Sequence, residues 1–138
     1  MSKHMLRTTF VVLAMLLVAD ASARMSKVLQ SPMLENLPPT SGQALTSQKV
    51  HDVIIQAGTA HGWHVVDDKP GRLRLHNLVQ GKHDVVIDVI YDTSSVRIEY
   101  VSSANLNYEE VNGVRYIHPK YIEWNDRLLK DIAKGVSY

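Results

Sequence analysis

The longest unbroken apolar stretch lies near the start of the chain, where residues 10–19 read FVVLAMLLVA. Lys3 and Arg7 precede it, and Ala21-Ser22-Ala23 follows it. A basic start, a short apolar run and a small-x-small site are the three parts of a secretory signal, so residues 1–23 are expected to be cleaved on export. Asp20 stops the run at ten residues, about half of the roughly 20 that a membrane-spanning helix needs.

Residues 24–45 show no period. They hold Ser31-Pro32, Pro38-Pro39 and Ser41-Gly42, which reads as a flexible or loosely docked leader. Met33, Leu34 and Leu37 are the residues able to pin part of it. Residues 46–60 are helical in pattern: Val50, Val53, Ile54 and Ala57 form one stripe. Thr46 or Ser47 can cap the start, and Gly58 or Gly62 can end it.

Strand periodicity then takes over. Residues 63–67 are short and β-rich, and Asp68-Lys69-Pro70-Gly71 is a turn. Leu73 and Leu75 alternate with Arg72, Arg74 and His76. Val85, Ile87, Val89 and Tyr91 follow a second turn at 80–82, and Val96, Ile98 and Tyr100 follow a third at 92–95. Keeping the apolar sets on one face places Leu75 opposite Ile87 and Leu73 opposite Val89, because a one-residue slip would flip every side chain. Tyr91 then faces Val96, and Val89 faces Ile98. The same register sets Arg74 opposite Asp88, and Asp88 opposite Glu99, a repulsion that Arg74 and Arg97 can offset. The first hairpin has no fixed register, since Val65 and Val66 compete for the inner face.

Val111-Asn112-Gly113-Val114 signals a tight turn between short β-like arms. Pro119 opens a second helix, with Tyr121, Trp124, Leu128 and Ile132 along its stripe and Gly135 able to end it. The expected fold is α+β: helix, four-stranded antiparallel meander, helix, in a two-layer sandwich with both helices on one sheet face. Residues 46–138 form the single domain.

Composition changes this picture in two ways. Removing Lys3, Arg7 and Asp20 with the signal takes the 15 Lys+Arg and 14 Asp+Glu down to 13 of each. A neutral domain has no electrostatic pull toward nucleic acid or anionic membrane. The chain also has no cysteine. That removes disulfides, thiol nucleophiles, Cys-type metal sites and lipidation at a mature N-terminal Cys.

The candidate chemistry is sparse. His61-Gly62-Trp63-His64 is the tightest histidine pair. A metal there would need Asp67 or Asp68 as third ligand, and the glycine lets the two rings diverge. Asp84, Asp88, Asp92 and Glu99 lie with Arg74 near the polar sheet face and read as a solvated, charge-paired surface. Val86, Ile90 and Val101 interrupt that face with a small apolar patch. No G-x-S-x-G, Walker or HExxH pattern occurs. The densest gathering of amphipathic rings is Asn105-Leu106-Asn107-Tyr108 with the run from Ile117 to Trp124. Asn105, Tyr108, His118, Tyr121 and Trp124 are the candidate binding residues. The other reading of Tyr121 and Trp124 is as core anchors, since both fall on the apolar stripe.

Gly62-Trp63, the stretch Ile98-Glu99-Tyr100-Val101-Ser102 leading to Asn105-Leu106, and the helix opening Ile117-His118-Pro119-Lys120-Tyr121-Ile122-Glu123-Trp124 resemble a group of small bacterial envelope proteins, many of them predicted lipoproteins. The resemblance spans about residues 62–132, and the stretch here carries one extra residue before its Leu. It implies a periplasmic location and no particular activity. Together these features lead to the expectation of a secreted or periplasmic, non-enzymatic binding or accessory domain without a cofactor. Its partner would be an envelope protein or a small ligand. The alternatives are metal handling through His61 and His64, or a small hydrolase using His118 with a nearby acid. An exposed last strand (96–101) could also accept a partner strand, although Arg97 and Glu99 look like edge protection.

Overall fold

A computed structural model describes residues 26–38 and 42–138; the expected signal segment, residues 1–23, lies outside them. The described residues form strands β1 (Lys27–Val28) and β2 (Met33–Leu34), helix α1 (Ser47–Ala60), strands β3 (His64–Lys69), β4 (Arg72–Val79), β5 (His83–Tyr91), β6 (Val96–Ala104), β7 (Glu109–Val111) and β8 (Val114–Ile117), and helix α2 (Pro119–Val136). The strands make two antiparallel sheets, a five-stranded one in the order β2-β6-β5-β4-β3 and a three-stranded one in the order β1-β8-β7. The class is mixed α+β.

Local chemistry explains where the helices begin and end. Thr46 Oγ1 accepts the Lys49 N–H at 3.1 Å and caps α1. At the other end Gly62 takes φ +85°. The Trp63 N–H donates to Gly58 O at 2.9 Å and the Gly62 N–H donates to Thr59 O at 3.2 Å, the paired bonds of a Schellman stop. Gly62 therefore ends the helix, and Gly58 lies inside it. Helix α2 opens with Pro119, and His118 Nδ1 accepts the Lys120 N–H at 3.1 Å.

The inner-facing residues Leu73, Leu75, Val85, Ile87, Val89, Tyr91, Val96 and Ile98 are all buried. One core cluster joins them to Val50, Val53 and Ile54 of α1, to Trp63, and to Tyr121, Leu128 and Ile132 of α2. The register follows the side-chain faces: Leu75 lies opposite Ile87, Leu73 opposite Val89 and Arg74 opposite Asp88, while Tyr91 lies opposite Val96 and Val89 opposite Ile98. The rivalry between Val65 and Val66 resolves as a bulge. Val65 pairs with Leu75 and Asp67 with Arg74, leaving Val66 unpaired between them. Neither valine is buried.

On the outer face Asp88 does lie opposite Glu99. Each carboxylate has its own arginine: Arg74 donates to both Asp88 oxygens at 2.8 and 3.0 Å, and Arg97 donates to Glu99 at 3.0 Å. Arg74, helped by Arg72, holds the Asp88 carboxyl below its usual range against the opposing effect of burial. Arg72 also pairs with Asp67.

The aperiodic segment before α1 adds to both sheets. β1 pairs with β8 and β2 pairs with β6. The Leu29 N–H donates to Arg115 O at 2.8 Å, the Ile98 N–H to Pro32 O at 3.0 Å, and the Leu37 N–H to Ser94 O at 3.0 Å. Leu29 and Leu45 are buried and Leu34 and Leu37 pack on the core. The sheet thus has five strands where the periodic pattern marks four, because a two-residue strand has no period to read. β2 covers the start of β6 at Val96 and Arg97, so part of the strand expected to be an open edge is paired.

Gly135 does not end α2. It sits inside the helix, where a Cβ would lie 2.6 Å from Val53 Cγ1, so it lets α2 pack directly against the Val53 side chain of α1. Gly→Ala within a helix ordinarily stabilises by roughly 1 kcal/mol. Here Gly135→Ala should instead destabilise by about 1–3 kcal/mol, because valine cannot rotate freely out of the way. Val53→Ala in the same chain should recover part of the loss. Urea unfolding of the two variants measures both effects, and a stabilised Gly135→Ala would contradict the crossing.

Candidate functional site

Asn105 and Asn107 hold left-handed backbone, at φ +60° and +52°, a conformation that asparagine tolerates better than most side chains. These two reversals turn the chain from β6 toward β7 and point alternate residues to opposite sides. Leu106 goes into the core, 1% exposed, and its carbonyl accepts the His118 N–H at 2.8 Å. Asn105 stays at the surface. Its side chain donates to Lys82 O at 2.9 Å, and its carbonyl accepts from His83 Nδ1 at 2.8 Å. The His83 ring in turn lies against Trp124, with centroids 5.9 Å apart.

Tyr108 emerges beyond the second reversal. Its ring stacks on Tyr100 at 4.6 Å with only 7° between the planes, and Tyr100 meets Tyr121 edge-on at 5.8 Å. Offset-stacked and edge-to-face rings attract through their quadrupoles. Burial raises the Tyr100 hydroxyl above its usual value, partly offset by its bond with Ser103 at 2.8 Å.

The structure therefore places the five expected residues in two linked groups. Tyr108 and Tyr121 meet through Tyr100, and Asn105 and Trp124 meet through His83. His118 caps α2 beside them. Tyr121 is a core residue, 1% exposed. Trp124 is only half-buried, and Asn125 takes the buried place beside Tyr121 that the stripe assigned to Trp124. Tyr100 and His83 were missed as site residues. The available signal was Tyr100 at the end of an alternating strand, which reads equally well as core.

His61 and His64 do not converge. His61 Nε2 bonds Asp131 of α2, while His64 lies opposite His76 on the neighbouring strand. His76 bonds Asp84. Among the described residues no group of three or more His, Asp or Glu side chains is arranged to hold a metal.

A cleft of about 480 Å³ opens between the start of α1 and the β3–β4 turn. Its main polar feature is His51, whose Nδ1 lies 2.9 Å from Asp52 Oδ1 and whose Nε2 lies 2.8 Å from Asp68 Oδ2. Carboxylates only accept, so both bonds require a proton on each ring nitrogen. His51 thereby joins α1 to β3, with both ring nitrogens engaged by carboxylates.

No known protein family, no curated protein and no solved structure matches this chain. No helix among the described residues is long and apolar enough to cross a membrane.

Hydrogen bonds from Asp52 and then Asp68 raise the His51 pKa above its usual 6.5. A raised folded-state pKa contributes stability that is full below the unfolded value and fades as pH climbs through the folded one. Thermal melts should show wild type ahead of His51→Gln in weakly acidic solution, where Asp52 is still ionised, with the gap closing as pH climbs through the raised His51 value. A gap that widens with pH would contradict this pairing.

Proposed function

We propose that this chain is an exported, non-enzymatic binding or accessory domain of the bacterial periplasm. In this reading it meets an envelope protein or a small ligand through Asn105, Tyr108, His118 and Trp124, with Tyr121 as the buried support. The observation that carries it is the Tyr108 ring, 39% exposed yet held flat on Tyr100. A rigid ring with a polar tip presents contact area at little entropic cost, which is the property that enriches tyrosine at interfaces. Two left-handed asparagines beside it set the turn that presents the ring.

Export is supported by the three-part N-terminal pattern, and a periplasmic setting by the resemblance to small envelope proteins. The finer architecture belongs to the same reading: a β3–β6 meander with both helices over its apolar face, in two layers. The alternation of buried and exposed residues along β4 and β5 supports it. The hydrolase alternative is weaker, because His118 Nδ1 is occupied by the helix cap. Metal handling is weaker too, because His61 is bonded to Asp131.

The test is crosslinked capture from the cell envelope with Tyr108→Ala combined with His118→Ser, a serine being able to keep the cap. The variant should lose a specific species captured by wild type while its stability falls by only about 1 kcal/mol. Undiminished capture, or loss of the fold, would refute the ring surface as the contact site.

A further inference from the structure

The stop that ends α1 also shapes a cavity beside the inner face of the large sheet. Asn77 follows Leu73 and Leu75 along the inward side of β4 and is 7% exposed. Gly62 lets it come close, since a Cβ there would lie 3.2 Å from Asn77 Oδ1. Asn77 Nδ2 donates to His61 O at 3.0 Å. That bond fixes which way the amide points, and it leaves Oδ1 an acceptor with no partner among the described residues. Trp63 is 2% exposed, and its indole N–H has no partner among them either. Neither atom is sealed from solvent. Both residues line a cavity of about 180 Å³, which is the open space these atoms face. Buried polar groups are nearly always paired, so whatever enters this space gains by supplying the missing bonds.

The other walls are His61, Val79, Trp124 and Arg127. Arg127 is exposed at the rim. Its guanidinium has no carboxylate partner among the described residues, although Glu123 and Asp131 lie one turn away on either side. No carboxylate lines the cavity. Asp131, outside it, is bonded to His61 and lies in the field of Lys130 and Lys134. The guanidinium and the indole N–H can only donate, which calls for an oxyanion. The Asn77 oxygen can only accept, which calls for an N–H or O–H on the same ligand.

We infer that this cavity binds the free C-terminal residue of a peptide. Its carboxylate meets Arg127, whose planar fork of charged donors matches two carboxylate oxygens, and takes the Trp63 N–H. Its own amide N–H meets Asn77 Oδ1. Val79 and the Trp124 ring cover a small side chain. A water in the liquid takes up about 30 Å³, so 180 Å³ holds a terminal glycine or alanine and the peptide group before it. The rest of the peptide leaves past the exposed rim. A sulfate would satisfy the donors and set an oxygen against Asn77 Oδ1. An amine would face the Arg127 charge. The site does not rest on the ring surface, because Trp124 is the residue they share and Tyr108 and His118 take no part in it.

The probe is N-acetylglycine, titrated against the full chain while the Trp63 indole N–H, one of two indole signals, is followed by NMR. N-acetylglycinamide lacks the charge, and N-acetylsarcosine lacks the N–H. N-acetylglycine should shift the Trp63 signal saturably, and each analogue should bind roughly tenfold more weakly or worse. Arg127→Gln changes an exposed side chain and leaves the core alone. It should weaken N-acetylglycine roughly tenfold and erase its advantage over the amide. Tyr108→Ala with His118→Ser should leave the titration unchanged, which separates this site from the ring surface. Absence of saturation, equal binding of N-acetylglycine and either analogue, or full-strength binding by Arg127→Gln would overturn the assignment. So would loss of binding in Tyr108→Ala with His118→Ser, since the carboxylate would then sit on the ring surface.

Discussion

The close passage of α2 over α1 at Gly135 and Val53 is the constraint from which the rest of the structure follows. A side chain at 135 would meet Val53 Cγ1 at 2.6 Å, so α2 presents bare backbone to the Val53 side chain of α1. That spacing lets Val53, Ile54, Leu128 and Ile132 share one core cluster with the inner-facing sheet residues. It also fixes how α2 projects toward its neighbours. Tyr121 reaches Tyr100 on β6, Trp124 reaches His83 on β5, and His61 at the end of α1 reaches Asp131. Tyr121 and Trp124 lie in the first two turns of α2, so the ring surface is positioned by the packing of that helix.

Some of this was legible in the sequence. Alternation along residues 72–91 decides the faces, and the faces decide the register down to Arg74 opposite Asp88. The start at Pro119 follows from its own backbone chemistry, while the ends of α1 were narrowed only to Thr46 or Ser47 and to Gly58 or Gly62. The arm was harder to read, because β1 and β2 are two residues each and are held by what they dock against. Val66 was ambiguous for the same reason: a bulge is a property of the pair of strands. Gly135 read as a helix stop because its neighbour Val53 lies far away in the chain.

The candidate site was only partly legible. Asn105, Tyr108, His118, Tyr121 and Trp124 stand out by composition, yet composition cannot tell a supporting ring from a presented one. Tyr121 proves to be buried and Tyr108 exposed. The stack that joins them runs through Tyr100, which the strand pattern marks simply as inward. Asn125 is buried one turn from Tyr121, where the apolar stripe had set Trp124. His51 likewise looks like an ordinary solvent-side histidine until β3 brings Asp68 to within 2.8 Å.

The most direct measurement is in-cell photo-crosslinking with a photoreactive phenylalanine analogue placed at Tyr108, and separately at Val66, which is exposed on the opposite edge of the large sheet. A discrete crosslinked species from position 108 and none from position 66 is the expected result. Equal crosslinking at both positions, or at 66 alone, would contradict the ring surface as the place where this domain makes its contacts.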